Sequence, residues 1–195
     1  MTMNMEYFVI ESENNNNYPL LEWDDDQEDT PFRKSKPVSV TEPIKLCLGE
    51  PVPKHPIMVD FHELPKPVVG ERIKNVLEPM NIGGIQLIPA HVLAGNDIYD
   101  YWLLHVFNRI ACVDREKSIL SIDEDDGDIL DIKSLVLDEK ILGDIPLENR
   151  LVFVLAEYTS TYLFHQSIKD AIMAIKPEGL QFFQANQWGS SVVFG

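Results

Sequence analysis

The sequence predicts an α+β domain with a mixed, mainly antiparallel sheet and a few short helices packed on it. Its 195 residues, of which 45% are hydrophobic, suffice to bury one substantial core. Most apolar runs are short, rich in aromatic and branched residues, and bounded by turn residues, which is typical of strands. Only two stretches have helical spacing, and few connections are long enough for crossovers. We therefore treat residues 1–195 as a single domain, in which residues 1–67 can form a small N-terminal lobe beside a main lobe at 68–195.

The N-terminal part of the chain combines one short strand with long irregular segments. Residues 7–10 are predicted to form a strand, and the polar run ESENNNN that follows cannot pack by itself. Leu20, Leu21 and Trp23 are expected to anchor an otherwise irregular acidic loop. Five prolines between residues 51 and 67 then predict an extended connection that crosses a surface and forms no core helix.

A helix and two or three strands are predicted to follow this connection. The helical face consists of Val69, Ile73, Val76, Leu77 and Met80, and residues 81–84 end the helix. Residues 85–92 (IQLIPAHV) have the composition of a strand. Residues 98–114 (IYDYWLLHVFNRIACVD) predict one or two buried strands.

The last third of the chain repeats this mixture of strands and a helix. Residues 135–137 (LVL) resemble a strand, residues 151–165 a pair of strands, and residues 179–184 (GLQFFQ) a final strand. Between them lies SIKDAIMAIKPEG, in which Ser167 and Asp170 have the spacing of a capping box. The predicted apolar stripe of this helix is Ile168, Ala171, Ile172 and Ile175, and its predicted end is Pro177 and Gly179.

The charge of the chain is strongly negative and concentrated in two segments. The formal charge is −16 and the sequence pI is about 4.5. Residues 1–30 carry nine acids and no Lys or Arg, and residues 121–148 carry ten acids against two lysines. Such a chain should repel nucleic acid and anionic membranes, because it offers no basic stripe, and should attract a basic macromolecule. The candidate contact residues for that partner are Asp24, Asp25, Asp26, Asp123, Glu124, Asp125, Asp126 and Asp128.

The second acidic segment, SIDEDDGDILDI at residues 121–132, resembles a calcium loop only superficially. An EF-hand loop needs Gly at its sixth position and oxygen ligands at its first and twelfth. With Gly127 in the sixth position, these ligand positions hold Ile122 and Lys133. The motif DDGD instead predicts the tip of a solvated hairpin. A looser calcium turn, and with it a calcium-responsive adaptor, stays open as an alternative.

No sequence motif assigns a catalytic residue, a cofactor or a structural metal. His62 and Glu63 begin as a zinc-protease motif would, but Pro65 would break the required helix. Cys47 and Cys112 form no metal-ligand spacing and are expected to be buried free thiols in a reducing cytoplasm. The alternative function is a small hydrolase or transferase whose site assembles in space around Cys112 or His105.

The chain is expected to be soluble and cytoplasmic. It contains no run of about 18 apolar residues, and its first residues form neither a basic leader nor a cleavable apolar segment. Its oligomeric state does not follow from the sequence.

One region carries a family resemblance. Residues 99–118, YDYWLLHVFNRIACVDREKS, contain an aromatic pair followed by two leucines, a branched strand and a turn-closing DREKS. The preceding ERIKNVLEPMNIGGIQLIPAHV has the order of a helix and a strand with Ile-Pro, and SIKDAIMAIK and GLQFF continue the pattern. Over residues 68–185 the chain resembles the immunity proteins of bacterial polymorphic toxin systems, number eleven in the usual catalogue.

The resemblance implies a protein that binds a cognate toxin and blocks it in the cell that makes both. It implies that five matching residues determine the fold: Tyr101, Trp102, Asp114, Arg115 and Ser118. The aromatic residues would enter the core, and Asp-Arg-x-x-Ser would form a turn whose side chains bond the backbone. Alternatively, Asp114 and Arg115 form a corner that contacts the partner.

The implied partner agrees with the charge of the chain. Toxins that act on nucleic acid are often basic, so an acidic inhibitor would be steered onto a nuclease-type effector, delivered by a contact-dependent or type VI secretion system. A neutral toxin would instead be met through an apolar patch such as the tail NQWGSSVVFG, residues 186–195.

Overall fold

A computed structural model describes residues 6–189 and confirms the α+β class. The first strands are β1 (Tyr7–Ser12), β2 (Leu21–Trp23), β3 (Ile44–Leu48), β4 (Phe61–His62), β5 (Val68–Val69), β6 (Ile85–Ala94) and β7 (Asp97–Val106). The later strands are β8 (Arg109–Ile110), β9 (Ile119–Ile122), β10 (Ile129–Ser134), β11 (Val152–Leu155), β12 (Tyr162–His165) and β13 (Leu180–Gln184). The helices are α1 (Glu71–Leu77), α2 (Glu139–Gly143) and α3 (Gln166–Ala174).

The strands form two larger sheets and one separate hairpin. The five-stranded sheet has the order β13-β1-β12-β11-β8, antiparallel except for the parallel pair β11 and β8. The six-stranded sheet has the order β2-β3-β6-β7-β5-β4, with β3 and β6 parallel and the other pairs antiparallel. The hairpin consists of β9 and β10. The mixed and mainly antiparallel sheet predicted from the sequence is therefore confirmed.

Alternation of side chains along the strands divides the interior into three cores. In β1, Tyr7 and Val9 enter a first outer core, whereas Ile10 points to the opposite face and enters the central core. In β5, Val69 enters the central core and Val68 enters a second outer core. The central core thus lies between the two larger sheets, and each outer core lies on the far face of one of them.

Helices α1 and α3 fill the central core together with the sheets. Ile73 and Leu77 of α1 are buried there, as are Ile168 and Ile172 of α3. The predicted start of the first helix is wrong, because Val69 belongs to β5 and pairs with Phe61 and Trp102. Apolar spacing alone could not separate Val69 from the helix. Only Gly70 lies between Val69 and the first helical residue, so Val69 still falls on the apolar face of the predicted helix.

The start of α3 also differs from its predicted cap. His165 is the N-cap residue, and its Nδ1 accepts a hydrogen bond of 3.2 Å from the backbone N–H of Ser167. Ser167 therefore lies inside the first turn, where its hydroxyl contacts the same ring nitrogen at 2.9 Å. The helix ends at Ala174 with Ile175 as its C-cap, before the predicted end at Pro177 and Gly179, and Gly179 adopts φ +89°.

Two smaller predictions need correction, and one helix was not predicted. Leu20 is 46% exposed and does not anchor its loop, while Leu21 is buried and begins β2. Residues 135–137 form no strand of their own, although Leu137 makes an isolated bridge with Val113. Helix α2 had no prediction, because its five residues are too short for a periodic signal.

Candidate functional site

The acidic segment 123–128 lies at the tip of the β9–β10 hairpin, as the sequence predicted. Asp123 donates its backbone N–H to the carbonyl oxygen of Asp128 over 2.8 Å, and Gly127 donates to the carbonyl oxygen of Asp123 over 3.0 Å. Gly127 adopts φ +78°, a left-handed conformation that favours glycine. Gly127 therefore serves the tight turn at the tip of the hairpin.

Two of the tip carboxylates support the turn, and three are left free. Asp123 Oδ1 accepts the backbone N–H of Asp125 over 2.8 Å, and Asp126 Oδ1 accepts that of Asp128 over 3.0 Å. Within residues 6–189, the side chains of Glu124, Asp125 and Asp128 make no hydrogen bond or ion pair, and all three are exposed. These three carboxylates are therefore the ones available to a partner.

The hairpin is anchored in the first outer core. Ile129 and Ile132 are buried there and Leu120 packs against them. On the solvent side, Ile119 and Leu130 are 59% and 60% exposed. The acidic tip is thus flanked by exposed apolar side chains, a combination that suits a protein partner better than a free ion.

The predicted Asp-Arg-x-x-Ser turn is confirmed, and it supports the hairpin. Asp114 Oδ1 accepts the backbone N–H groups of Glu116 and Lys117 over 3.2 and 3.1 Å. Ser118 Oγ donates to the carbonyl oxygen of Val136 over 3.1 Å and accepts the N–H of the same residue over 2.9 Å. A hydrogen bond from Lys117 holds the pKa of the Asp114 carboxyl below its ordinary value.

The other acidic group, Asp24, Asp25 and Asp26, forms a turn after the edge strand β2. Asp24 donates its backbone N–H to the carbonyl oxygen of Lys45 over 3.2 Å. Its Oδ1 accepts the backbone N–H of Asp26 over 3.3 Å, and Asp25 and Asp26 are exposed.

The fold does not bring the two acidic groups into one layer. The hairpin packs on the first outer core through Ile129 and Ile132, whereas β2 packs on the second through Leu21. The two larger sheets and the central core lie between these outer cores. A partner that binds the hairpin would therefore meet Asp24–Asp26 only by reaching around the domain.

The calcium alternative receives no support from the geometry. Within residues 6–189, no group of three or more His, Cys, Asp or Glu side chains is arranged to hold a metal ion. At the hairpin tip, Asp123 and Asp126 each use a carboxylate oxygen to accept a backbone N–H.

The two aromatic residues of the family resemblance were both expected in the core. Tyr101 lies in the core, whereas Trp102 lies at its edge. Tyr101 is 7% exposed and donates its hydroxyl to the carbonyl oxygen of Val59 over 2.7 Å. Trp102 is half-buried, and the ammonium group of Lys74 lies 5.7 Å from the centre of its ring. In the C-terminal tail, Trp188 is 4% exposed and so offers no apolar surface, while residues 190–195 lie outside the described range.

The side chains named for the enzyme alternative are packed as core residues. Cys112 is fully buried, and burial followed by the charges of Glu157 and Asp138 raises the pKa of its thiol. His105 is buried, and its Nε2 donates to the carbonyl oxygen of Lys36 over 2.9 Å. Neither residue therefore resembles an activated nucleophile or base.

The expected burial of Cys47 is wrong, since that residue is only half-buried.

A carboxyl pair, which the sequence did not reveal, joins the two larger sheets, with Glu11 buried and Glu63 half-buried. Glu11 in β1 is 6% exposed and is hydrogen-bonded to Glu63, which follows β4. Trp188 Nε1 donates to Glu11 Oε1 over 2.7 Å, and Glu63 Oε2 accepts the backbone N–H of Ser12 over 3.1 Å. Burial, and then the charge of Glu63, raise the pKa of Glu11 to about 7. The available signal was the position of Glu11 two residues after Val9, on the same inward face of the strand.

Glu63 of this pair and its neighbour His62 line a cavity of about 360 Å³. His62 Nδ1 donates to the carbonyl oxygen of Pro19 over 3.0 Å, and its Nε2 is buried with no hydrogen-bond partner among the described residues. Burial lowers the pKa of His62 to about 4. The ring is therefore neutral at physiological pH. It packs edge-on against the ring of Tyr101, with 5.5 Å between the two ring centres.

The helices in the described part of the chain are all too short or too polar to span a membrane.

Comparison with known proteins identifies the family. The profile of the immunity protein family (Imm11) matches residues 8–187, which include both larger sheets, the hairpin and all three helices. Comparison with curated proteins gives no match. Because the matched region covers nearly the whole chain, the protein belongs to the Imm11 family of immunity proteins.

Proposed function

We propose that this protein neutralises a cognate secreted bacterial toxin by binding it stoichiometrically, and that the β9–β10 hairpin forms part of the contact surface. The observation that carries the proposed role is the family match over residues 8–187. As an immunity protein, it would act in the cytoplasm of the cell that also makes the toxin, against an effector delivered by a contact-dependent or type VI system.

Two properties of the hairpin support its choice as the contact. Glu124, Asp125 and Asp128 present carboxylates that no described residue neutralises, and they sit on a turn held by backbone hydrogen bonds. A rigid charged surface loses little conformational freedom on binding. Ile119 and Leu130 add apolar area beside the charges, which a protein interface needs for affinity.

The charge of the hairpin favours a basic toxin of the nuclease type. A positively charged partner would be steered toward the tip and would be held with its phosphate-binding residues facing the carboxylates. Asp24–Asp26 would contribute mainly to the long-range attraction, since they lie on the other outer layer of the domain.

The role is tested by co-expression with the toxin encoded beside this gene. We expect a 1:1 complex on size-exclusion chromatography and restored growth of cells that express the toxin. Failure to obtain either a complex or restored growth would refute the proposed role.

The contact surface is tested by a triple variant, Glu124→Gln, Asp125→Asn and Asp128→Asn, which spares the two carboxylates that support the turn. We expect association with the toxin to slow by about tenfold at low salt and to depend less on ionic strength. The matched control removes three exposed acids elsewhere, by Glu42→Gln, Asp97→Asn and Asp100→Asn. Equal effects of the two triple variants would show that total charge, and not the hairpin, governs association.

A further inference from the structure

A cationic cleft is present in this acidic protein, at the edge where β8 ends the five-stranded sheet. The cleft has a volume of about 320 Å³, and its polar lining consists of Arg33, Lys66, Arg109, Thr159 and Tyr162. The three basic residues come from distant parts of the chain. Arg33 ends a short 3-10 helix, Lys66 precedes β5, and Arg109 begins β8.

The cations are held together by the fold despite their mutual repulsion. Arg109 Nη2 donates to the carbonyl oxygen of Arg33 over 2.8 Å, which fixes the two chain segments side by side. Burial, followed by the charges of Arg109 and Arg33, lowers the pKa of Lys66, while Asp29 opposes this shift. The sequence contains 16 basic residues against 32 acidic ones, so a cleft lined by three basic residues contrasts with the overall charge of the protein.

The cleft contains an excess of positive charge that its own residues do not neutralise. Its lining contains three basic side chains and no acidic one. Two acids lie nearby: Asp29 accepts a hydrogen bond of 3.0 Å from Arg33 Nε, and the charge of Glu63 acts on Tyr162. Within residues 6–189, the ammonium group of Lys66 makes no hydrogen bond or ion pair.

The hydroxyl group of a buried tyrosine adds a second donor without a partner. Tyr162 is 8% exposed and lines the cleft, yet its hydroxyl makes no hydrogen bond to any residue in the range 6–189. Burial raises the pKa of Tyr162 to about 12, although the charge of Arg109 opposes the shift. The phenol is therefore protonated at neutral pH and is available as a donor. Because Tyr162 lines the cleft, its hydroxyl can donate to a ligand bound there.

We propose that this cleft binds the phosphate group of a small molecule. A phosphate dianion carries twice the charge of a carboxylate, so three lining cations attract it more strongly. Arginine forks and a lysine ammonium are the usual donors to phosphate oxygens, and Tyr162 and Thr159 supply hydroxyl groups beside them. Val106 and Val154 form an apolar wall that can contact the organic part of a phosphomonoester.

This binding site is independent of the proposed toxin contact. None of the residues that line the cleft belongs to the β9–β10 hairpin or to the turn at residues 114–118 that supports it. Loss of phosphate binding should therefore leave toxin binding unchanged, and the two proposals can fail separately.

The proposal is tested by isothermal titration of the full chain with inorganic phosphate, phenyl phosphate and acetate. We expect saturable 1:1 binding of the two phosphates and at least about tenfold weaker binding of acetate, since each unit of charge adds Coulomb attraction in a partly buried site. Tighter binding of phenyl phosphate than of inorganic phosphate would identify a phosphomonoester as the ligand. Equal binding of the two would identify free phosphate.

Two variants and a matched control make the titration decisive. Lys66→Met and Arg109→Gln should each weaken phosphate binding by about tenfold or more, because each removes a cation from the site. Lys140→Met removes an exposed lysine from α2 and should have no effect. Circular dichroism would verify that all three variants fold. No saturable binding by the unmodified protein at about 10 mM phosphate, or equal affinities in Lys66→Met, Arg109→Gln and Lys140→Met, would overturn the proposal.

Discussion

The guanidinium group of Arg115 donates a hydrogen bond of 3.0 Å from Nη1 to the carbonyl oxygen of Gly127. This contact connects the Asp-Arg-x-x-Ser turn, which carries the family resemblance, with the tip of the acidic hairpin. Because Asp114 and Ser118 fasten the turn to the backbone, Arg115 can support the tip from a rigid base. The arrangement makes Arg115 a positioning residue for the proposed contact surface.

Replacing Arg115 by Ala should loosen the hairpin tip. The hydrogen bond is exposed, so we expect a loss of about 0.5–1 kcal/mol in the free energy of unfolding, measured by urea denaturation. Hydrogen exchange of the backbone amides at residues 123–128 should become faster. Lys133→Ala is the control, because it removes one positive charge from strand β10 of the hairpin and leaves this contact in place. Unchanged exchange in Arg115→Ala would contradict the supporting role of Arg115.

The carboxylates of the tip should differ in their effect on stability. Asp123→Ala and Asp126→Ala remove the side-chain acceptors of two backbone N–H groups and should each cost about 0.5–1 kcal/mol relative to Asp125→Ala. All three changes remove one negative charge from the same turn, so their differences report the hydrogen bonds alone. Urea denaturation of the three variants checks this, and equal stabilities would show that the turn does not depend on these bonds.

Alanine substitutions at three glycines should separate backbone strain from crowding. Gly95 and Gly127 have φ +64° and +78°, and no atom lies within 4 Å of the position that a Cβ would occupy. Ala should therefore cost about 1–2 kcal/mol at either site. At Gly179, with φ +89°, a Cβ would also lie 2.4 Å from Cγ2 of Val59. We expect a loss of about 3 kcal/mol or more there, because crowding adds to the strain. Thermal denaturation would rank the three variants by their loss of stability. Similar losses at all three sites would contradict the expected ranking.

The Glu11 carboxyl should make stability depend on pH. Its pKa in the folded protein, about 7, lies above its ordinary value of 4.5, so the folded state favours the protonated form. This contribution to stability is complete below about pH 4.5 and is lost as the pH rises through 7. Glu11→Gln mimics the protonated carboxyl and should therefore gain stability relative to the unmodified protein between about pH 5 and pH 8. We expect a difference of at least about 2 °C in melting temperature at pH 8, and a difference that does not grow with pH would refute the shifted carboxyl.

The two thiols should react at very different rates. Cys47 is half-buried and Cys112 is fully buried, and burial raises the pKa of both. With a thiol reagent such as Ellman's at about pH 8, we expect slow labelling of Cys47 and labelling of Cys112 only after denaturation. Cys47→Ser should then show no labelling in the folded state. Rapid modification of Cys112 would contradict the packing of the first outer core.

Strands and helices whose sequence pattern persists over several residues were predictable from that pattern. β6, β7, β11, β12 and α3 were all predicted near their observed positions, because a run of aromatic and branched residues marks each strand and helical spacing marks α3. Short elements were not predictable in this way. Val69 was assigned to a helix although strand pairing with Trp102 holds it in β5, and α2 is shorter than the window in which periodicity can be recognised.

The candidate site was predictable only in part. The turn chemistry of residues 123–128 is local, so the hairpin tip followed from DDGD, whereas the turn made by Asp114 and Ser118 was implied by the family resemblance. The support that Arg115 gives to Gly127 depends on how two turns meet in space. The proposed contact of the acidic residues with a toxin remains a prediction for the experiments above.

The sequence by itself determined the class of this protein, because alternation, helical spacing, turn residues and charge are properties of neighbouring residues. It also contained the pattern by which the family was identified. Only the tertiary structure decided which distant side chains meet. Glu11 reaches Glu63 across the two sheets, and Lys66 lies with Arg33 and Arg109 in one cleft. Such contacts arise when strands far apart in the chain pair and pack. No short segment of the sequence therefore determines which of these side chains are buried together.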